Sequence, residues 1–294
     1  PTIEGNLRLG GTGNRVFNVG DSTGAAVDLS VEALVSGVSS SVGLTKNSAG
    51  VLRLGNEANT YAGGTLITQG TVQVTKLANA GTASSLGTGA SNPVIVLGSG
   101  TATGTLEYVG SGNSSTNHQI QIGNSTSANG NGGATILNNG SGTLAFTGNG
   151  GFFNVQTNTG AGTPGAGRVL TLGGGNTGAN TIAAVIRDNA GTLNPSVSLV
   201  KQDAGTWVLS GANTFTGGTT VNAGTLVASA PNLTSTGALG GGNITVNNGG
   251  TIQVNGDNSL IGTSGSAART ITINQGGLVA TDGSSNHLNR LILN

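Results

Sequence analysis

Apolar and polar residues alternate in short runs along the whole chain. One run spans Ile3 to Leu9, and later runs place apolar residues two positions apart, as in Val94 and Val96, Ile120 and Ile122, Ile244 and Val246, Ile252 and Val254, and Ile271 and Ile273. Each run covers about four to six residues and is bounded by Gly, Asn or Asp, which is typical of short β-strands joined by tight turns. The pattern predicts an all-β chain.

Two segments of the chain repeat each other. Residues 44–72 read LTKNSAGVLRLGNEANTYAGGTLITQGTV, and residues 199–226 read LVKQDAGTWVLSGANTFTGGTTVNAGTL. They align with one inserted residue near Glu57, so equivalent positions are 155 residues apart before it and 154 after it. A fixed long-range period of this kind indicates a repeat architecture.

The similarity continues more weakly on both sides of these segments. The sequence from Ser85 resembles the sequence from Ala238, and Arg15–Val19 resembles Arg168–Leu172. We therefore predict one continuous domain, residues 1–294, built from two units of roughly 150 residues. The units cover approximately residues 1–153 and 154–294.

The strand pattern and the repeat together favour a parallel β-solenoid. Strand-turn modules recur about every 20–25 residues, a period in the range of solenoid coils. Inward Val, Ile and Leu would stack between coils, and outward Thr, Asn and Ser would face water. We predict a right-handed parallel β-helix of about 13 coils and about 60 Å in length. A pair of β-sandwiches is the competing fold, because strands and turns alone do not exclude it.

Composition excludes several classes of protein. Of the 294 residues 56 are Gly, yet no Gly-X-Y period is present, so the chain is not collagen-like. Without Cys there is no disulfide and no thiolate metal site. The net charge is zero and only 7% of residues are charged, so we expect no nucleic-acid partner. No apolar stretch approaches the ~20 residues of a transmembrane helix.

A family resemblance emerges at the repeat. Gly205–Leu226 resembles the passenger-associated transport repeat of bacterial autotransporters, and residues 51–72 are a looser match, with Gln69 and Val72 replacing Ala and Leu. Asn180–Thr192 resembles the segment that often precedes this repeat. The motif positions are Asn59, Tyr61, Gly63, Gly64, Gly70, Trp207, Asn213, Phe215, Gly217, Gly218 and Gly224.

The resemblance implies a parallel β-helix on, or secreted from, a Gram-negative cell surface. In that family the repeat is structural and is associated with export, and it is not a catalytic signature. We expect any secretion signal and outer-membrane anchor in parts of the parent protein outside this sequence. Glycans or host surfaces are the expected adhesion partners.

Candidate catalytic and metal-binding residues are sparse. The separation of Asp257 and Asp282 is about one predicted coil, which allows the paired carboxylates of a glycosidase. Both adjoin Gly in turn sequences, so we favour turn capping. His118 and His287 lack neighbouring ligands and are predicted to face solvent. We expect no catalytic residue, no metal and no cofactor.

Equivalent residues of the two copies invite structural predictions. Lys46 and Lys201 are predicted to be outward charges that discourage lateral sheet pairing. Tyr61 and Phe215 are predicted to pack over the turn glycines beside them, and Trp207 to be a packing residue.

Neither end of the sequence has an obvious polar cap. We expect end-to-end contacts, with another copy or with a continuation of the chain, through Ile3, Leu7, Leu9, Leu288, Leu291 and Leu293. The leading hypothesis is a rigid surface stalk or spacer that is not an enzyme. The alternatives are a subunit of a head-to-tail extracellular filament and, third, a β-helical polysaccharide-active enzyme.

Overall fold

The chain folds into many short strands and, within the part described, no helix. The computed structural model describes residues 1–123, 131–148, 154–155, 167–188, 196–230, 237–256, 269–282 and 290–294. Its strands, in chain order, are β1 (Thr2–Ile3), β2 (Asn6–Leu9), β3 (Arg15–Asn18), β4 (Leu29–Val31), β5 (Leu34–Gly37), β6 (Leu44–Asn47), β7 (Val51–Leu54), β8 (Thr65–Ile67), β9 (Gly70–Val74), β10 (Val94–Leu97), β11 (Gly104–Tyr108), β12 (Ser114–Thr116), β13 (Gln119–Ile122), β14 (Ala134–Asn138), β15 (Leu144–Phe146), β16 (Asn154–Val155), β17 (Arg168–Gly173), β18 (Asn180–Ile182), β19 (Val197–Lys201), β20 (Thr206–Leu209), β21 (Thr219–Val221), β22 (Gly224–Ala228), β23 (Ile244–Val246), β24 (Gly250–Val254), β25 (Thr270–Ile273), β26 (Leu278–Thr281) and β27 (Arg290–Leu293).

The strands stack in parallel sheets. The main sheet has 12 strands in the order β1-β4-β7-β9-β11-β14-β17-β19-β21-β23-β25-β27. A first side sheet has six strands, β16-β13-β10-β8-β6-β3, and a second has seven, β12-β15-β18-β20-β22-β24-β26. A two-stranded sheet, β2-β5, completes the set. Within each sheet a strand pairs with the strand one coil away, so the predicted β-solenoid is confirmed and the antiparallel β-sandwich is wrong.

Coil length varies more than the sequence predicts. In the first repeat Val51 pairs with Thr71 of the next coil. Between the repeats Ala134 pairs with Leu170, so the chain travels much further before it returns to the same sheet. The expected coil period therefore holds approximately within the repeats, and the intervening coils are longer.

The long coils have a different cross-section. In the coils that begin at β11 and β14, the chain passes through the main sheet, the second side sheet and the first side sheet in turn. The first two coils, β1–β3 and β4–β6, also have three strands, in the main sheet, the two-stranded sheet and the first side sheet. The coils that begin at β7 and β9 place strands in the main and first side sheets, and the described strands from β17 onward belong to the main and second side sheets. The coils at the start and in the middle of the solenoid thus have three strands each, whereas the coils that begin at β7 and β9 have two.

The interior is a single stack of apolar side chains. Ile244, Val246, Ile252 and Val254 are fully buried, as their alternation predicts. In β10 the phase is opposite to the expected one: the inward residues are Ile95 and Leu97, whereas Val94 and Val96 are half-buried on the outer side. Because VIVL is apolar throughout, its sequence does not fix which residues point inward. The described part of the chain contains no helix that could span a membrane.

Candidate functional site

Each copy of the sequence repeat folds as two successive coils with the same pairing. In the first copy β6 pairs with β8, and β7 pairs with β9. In the second, β19 pairs with β21, and β20 pairs with β22. The sheets differ, because β6 and β8 belong to the first side sheet whereas β19 and β21 belong to the main sheet. The two copies therefore share their internal strand pairing, but equivalent strands of the two copies lie in different sheets of the solenoid.

A buried lysine closes the corner in each copy. The Lys46 ammonium donates hydrogen bonds to the carbonyls of Asn47 (2.9 Å), Ser48 (2.7 Å) and Gln69 (3.3 Å). Two of these carbonyls lie at the end of the lysine's own strand and in the corner that follows it, and the third belongs to the next coil. The lysine therefore fastens one coil to the next.

The second copy has the same arrangement. Lys201 donates to the carbonyls of Gln202 (2.6 Å), Asp203 (2.7 Å) and Ala223 (3.0 Å). Both lysines are fully buried, so the prediction that they are outward charges is wrong. Each lies at an inward position of its strand, and its aliphatic stem continues the apolar stack while its ammonium meets the carbonyls.

Burial shapes the titration of these lysines. Desolvation lowers the pKa of Lys46 and of Lys201 to about 8 in each case. The carboxylates of Asp28 and Asp203 act in the opposite direction and raise the pKa of their respective lysine. A buried ammonium is costly unless hydrogen-bonded, and the three carbonyls supply that compensation.

A buried asparagine in each copy joins three successive levels of the solenoid. Asn59 accepts from the amide of Val35 (2.8 Å) and donates to the carbonyl of Ser85 (2.9 Å). Asn213 accepts from the amide of Ile186 (2.7 Å) and donates to the carbonyl of Ala238. Both asparagines are fully buried. An amide side chain has both an acceptor and a donor, which suits this bridging position.

The repeat aromatics cover glycines of the following coil. Tyr61 and Phe215 are fully buried. The glycines they cover are Gly87 (φ 68°) and Gly240 (φ 73°), where a Cβ atom would meet ring carbons at 2.6–2.9 Å. The glycines that these rings cover lie one coil further along the chain, and not in the adjacent Gly-Gly pair over which the rings were predicted to pack.

The Gly-Gly pairs mark close approach between coils. A Cβ atom at Gly63 would lie 2.5 Å from the Gly43 nitrogen, and one at Gly64 would lie 2.8 Å from Nδ2 of Asn92. In the second copy, Gly217 lies against the backbone of Val197 and the side chain of Ser198, and Gly218 lies near Asn243. The pair therefore belongs to a tight inter-coil contact.

A family model agrees with this geometry. The passenger-associated transport repeat matches residues 44–74 and 199–228. The chain contains two passenger-associated transport repeats. Each match spans the lysine corner, the bridging asparagine and the aromatic residue of one copy.

A curated relative supports the same assignment. The Adhesin BmaC autotransporter of Brucella suis biovar 1 (strain 1330) is 39% identical over 158 residues, which is 53% of this chain. The chain spans about 4% of the length of that protein. These matches agree with the expected location at the bacterial cell surface or outside the cell. No solved structure matches the chain significantly.

Trp207 distinguishes the second passenger-associated transport repeat from the first. Its ring is fully buried, and its Nε1 donates to the carbonyl of Gly173 at 3.0 Å. It stacks on Phe146, with ring centroids 6.5 Å apart and an interplanar angle of 22°. Leu52 is the equivalent residue in the first repeat and is also fully buried. Trp207 thus packs in the core and links the second repeat to the long middle coils.

The Tyr61 ring should matter more than its hydroxyl. The hydroxyl lies 3.1 Å from Oγ1 of Thr65, and both residues are buried. The second repeat has Phe215 at this position, so the motif tolerates a plain ring. We expect Tyr61→Phe to cost about 1 kcal/mol and Tyr61→Ala about 3–5 kcal/mol, measured by urea unfolding followed by far-UV circular dichroism. Equal losses in the two variants would contradict this ranking.

The candidate catalytic residues have structural roles where they are described. Asp282 Oδ2 accepts from the amide of Gly256 at 2.9 Å, a hydrogen bond to the preceding coil rather than within its own turn. Its proposed partner Asp257, and also His287, lie outside the described residues. His118 is buried and its Nδ1 lies 2.8 Å from Oγ1 of Thr116, so the prediction that it faces solvent is wrong. Burial lowers the pKa of His118. No metal-binding cluster of acidic and histidine residues is found in the described part.

The residues predicted to make end-to-end contacts differ in exposure. Leu9 is buried, and Ile3 and Leu7 are partly buried against the core. Leu291 and Leu293 are 48% and 71% exposed. Leu288 lies outside the described residues. An end-to-end contact through these residues stays a prediction.

A cleft opens where the second side sheet begins. It has a volume of about 310 Å³ and is lined by residues that include Glu57, Lys76, Tyr108, Asn113 and Ser114. Glu57 and Asn113 are exposed, and Lys76 is half-buried. The sequence does not predict this cleft, because it arises from the step between a two-sheet coil and a three-sheet coil.

Proposed function

We propose that the chain is a rigid, non-catalytic spacer within an autotransporter-like passenger and that it supports the display of adhesive parts at the cell surface. The observation that carries this proposal is the uninterrupted main sheet of 12 parallel strands. At the usual spacing of parallel strands, the sheet extends about 50 Å along the solenoid axis. The passenger-associated transport repeats and the similarity to an adhesin support the surface context.

The side chains of the repeats support stiffness as well as length. The lysine corners and the asparagine bridges hydrogen-bond successive coils through fully buried groups. Bending between coils would break these bonds in a place where water cannot replace them. The repeats therefore resist bending between neighbouring coils of the spacer.

Rigidity can be measured with one pair of spin labels. Thr71, Thr105, Thr135, Thr171, Val200, Thr220 and Thr245 lie in one row across the main sheet. The chain has no native cysteine, so Thr71→Cys/Thr245→Cys labels only the two ends of this row. Six inter-strand steps predict a narrow distance distribution centred at about 29 Å before the label arms are added. A broad distribution in electron–electron double resonance would contradict a rigid spacer.

The spacer role itself needs a display experiment. The chain is placed between an N-terminal epitope and a translocator on Gram-negative cells, and it is compared with a Gly/Ser linker of about 40 residues, whose r.m.s. end-to-end distance of about 35 Å is shorter than the sheet. We expect antibody to reach the epitope above the lipopolysaccharide only with the folded chain, because a flexible linker spans a shorter mean distance. Equal epitope exposure with both inserts would overturn the spacer role. Equal adhesion of cells that carry either insert would show that adhesion does not depend on this chain.

A further inference from the structure

The lysine corners have the features of an ion-binding site. Ser48 and Asp203 adopt left-handed backbone conformations, with φ of 67° and 60°. Each follows its lysine by two residues, and the resulting corner aims two successive backbone carbonyls at the interior. A third carbonyl, from Gln69 or Ala223, reaches the same point from the next coil. Three partial negative charges thus converge where water is excluded.

The number of acceptors matches one particular type of cation. A primary ammonium has three N–H donors and no acceptor, and each corner offers it three carbonyl oxygens. In the second copy the three distances are 2.6–3.0 Å, centred on the roughly 2.7–2.9 Å that is typical of charge-assisted hydrogen bonds. A hydroxyl in the same place has one donor and would leave two of the carbonyls without that partner.

The space leading to the carbonyls is apolar. Lys201 pairs with Leu172 and Val221 in the main sheet, and Lys46 pairs with Phe17 and Ile67 in the first side sheet. These neighbours hold the four-carbon stem of the lysine in the core. The corner therefore combines an apolar channel with a polar, electronegative end, which suits an alkylammonium ion.

We propose that each passenger-associated transport repeat of this chain contains a binding site for a primary alkylammonium ion, which the repeat's own lysine fills. The lysine is an internal ligand that locks two coils, and the site is formed by backbone atoms. Its specificity is for one ammonium with an unbranched tail. A free amine of matching length should therefore replace the side chain once the lysine is removed.

Chemical rescue tests this proposal directly. Lys201→Ala retains Cβ and removes three carbons and the ammonium, and n-propylammonium restores those atoms. We expect Lys201→Ala to lower the Tm of the Trp207 fluorescence transition and n-propylammonium to recover at least half of that loss. The recovery should rise with amine concentration, because a ligand that binds only the folded state stabilises it by mass action. 1-Propanol and tetramethylammonium at equal concentration should give no comparable recovery.

Two matched variants separate binding in the corner from a general effect of the amine. Lys201→Met fills the channel without a charge, so n-propylammonium should not raise its Tm above the effect on the parent chain. Lys76→Ala removes a lysine that lines the surface cleft and should respond as the parent does. If Lys201→Ala does not fold, the yield of refolding with amine or with propanol gives the same comparison. Equal responses of Lys201→Ala and Lys201→Met would overturn the proposal, as would equal rescue by propanol.

Discussion

Gly224→Ala should be among the most damaging single substitutions in the second repeat. Gly224 has φ of 65°, and a Cβ atom there would overlap the carbonyl of Asp203 and lie 2.6 Å from the carbonyl of Gly205 and 2.7 Å from Lys201 Nζ. The methyl group therefore enters the lysine corner and strains the backbone at once. We expect a loss of about 2–5 kcal/mol in unfolding free energy, the sum of a left-handed non-glycine residue and local overpacking.

Gly249→Ala is the matched control for this substitution. Gly249 also has positive φ, 84°, but the nearest atom to an added Cβ is the Asn222 carbonyl oxygen at 3.9 Å. Only the backbone strain remains, about 1–2 kcal/mol. Both variants are read from urea unfolding followed by the fluorescence of Trp207, the single tryptophan of the chain. Similar losses would show that backbone strain alone, rather than the lysine corner, makes Gly224 necessary.

The fold class could be predicted because the sequence carries two independent signals for it. Alternation in segments such as Ile252–Val254 fixes strands, and the repeat of residues 44–72 at 199–226 fixes a stacked architecture. Coil size could not be predicted in the same way. The long coils lie between the repeats, where Gly-rich and Asn-rich sequence gives no period, and their third strand is decided by packing against neighbouring coils.

The burial of Lys46 and Lys201 could not be predicted from the alternation of apolar and polar residues, because lysine faces solvent in most strands. One local signal was present. Both copies read Lys-x-Ser/Asp-Ala-Gly, in Lys46–Gly50 and Lys201–Gly205, which places a turn-forming residue two positions after the lysine. The sequence carries no signal for the third carbonyl of each corner. Gln69 and Ala223 are more than 20 residues away along the chain and come close to the lysine only because the next coil stacks on its strand. The partners of the aromatic residues could not be predicted for the same reason.

Asn213→Ala should be comparably damaging, because it removes a hydrogen-bond bridge from the dry interior. The Asn213 side chain accepts from the Ile186 amide at 2.7 Å and donates to the Ala238 carbonyl, and all three residues are fully buried. Its loss leaves a buried donor and a buried acceptor without these partners and opens a small cavity. We expect about 3–5 kcal/mol of destabilisation, from unfolding followed by Trp207 fluorescence.

Asn247→Ala separates the effect of burial from that of hydrogen-bond number. Asn247 also makes two side-chain hydrogen bonds, donating to Asn222 at 2.7 Å and accepting from Asn274 at 2.6 Å. It is only half-buried, so water can replace both bonds, and we expect a loss of about 1 kcal/mol or less. A large difference between the two variants would mean that the buried asparagines hold the coils together because water cannot reach them. Equal losses would instead mean that side-chain hydrogen bonds between coils stabilise the solenoid equally whether they are buried or exposed. Asn59 and Asn213 would then have no special role.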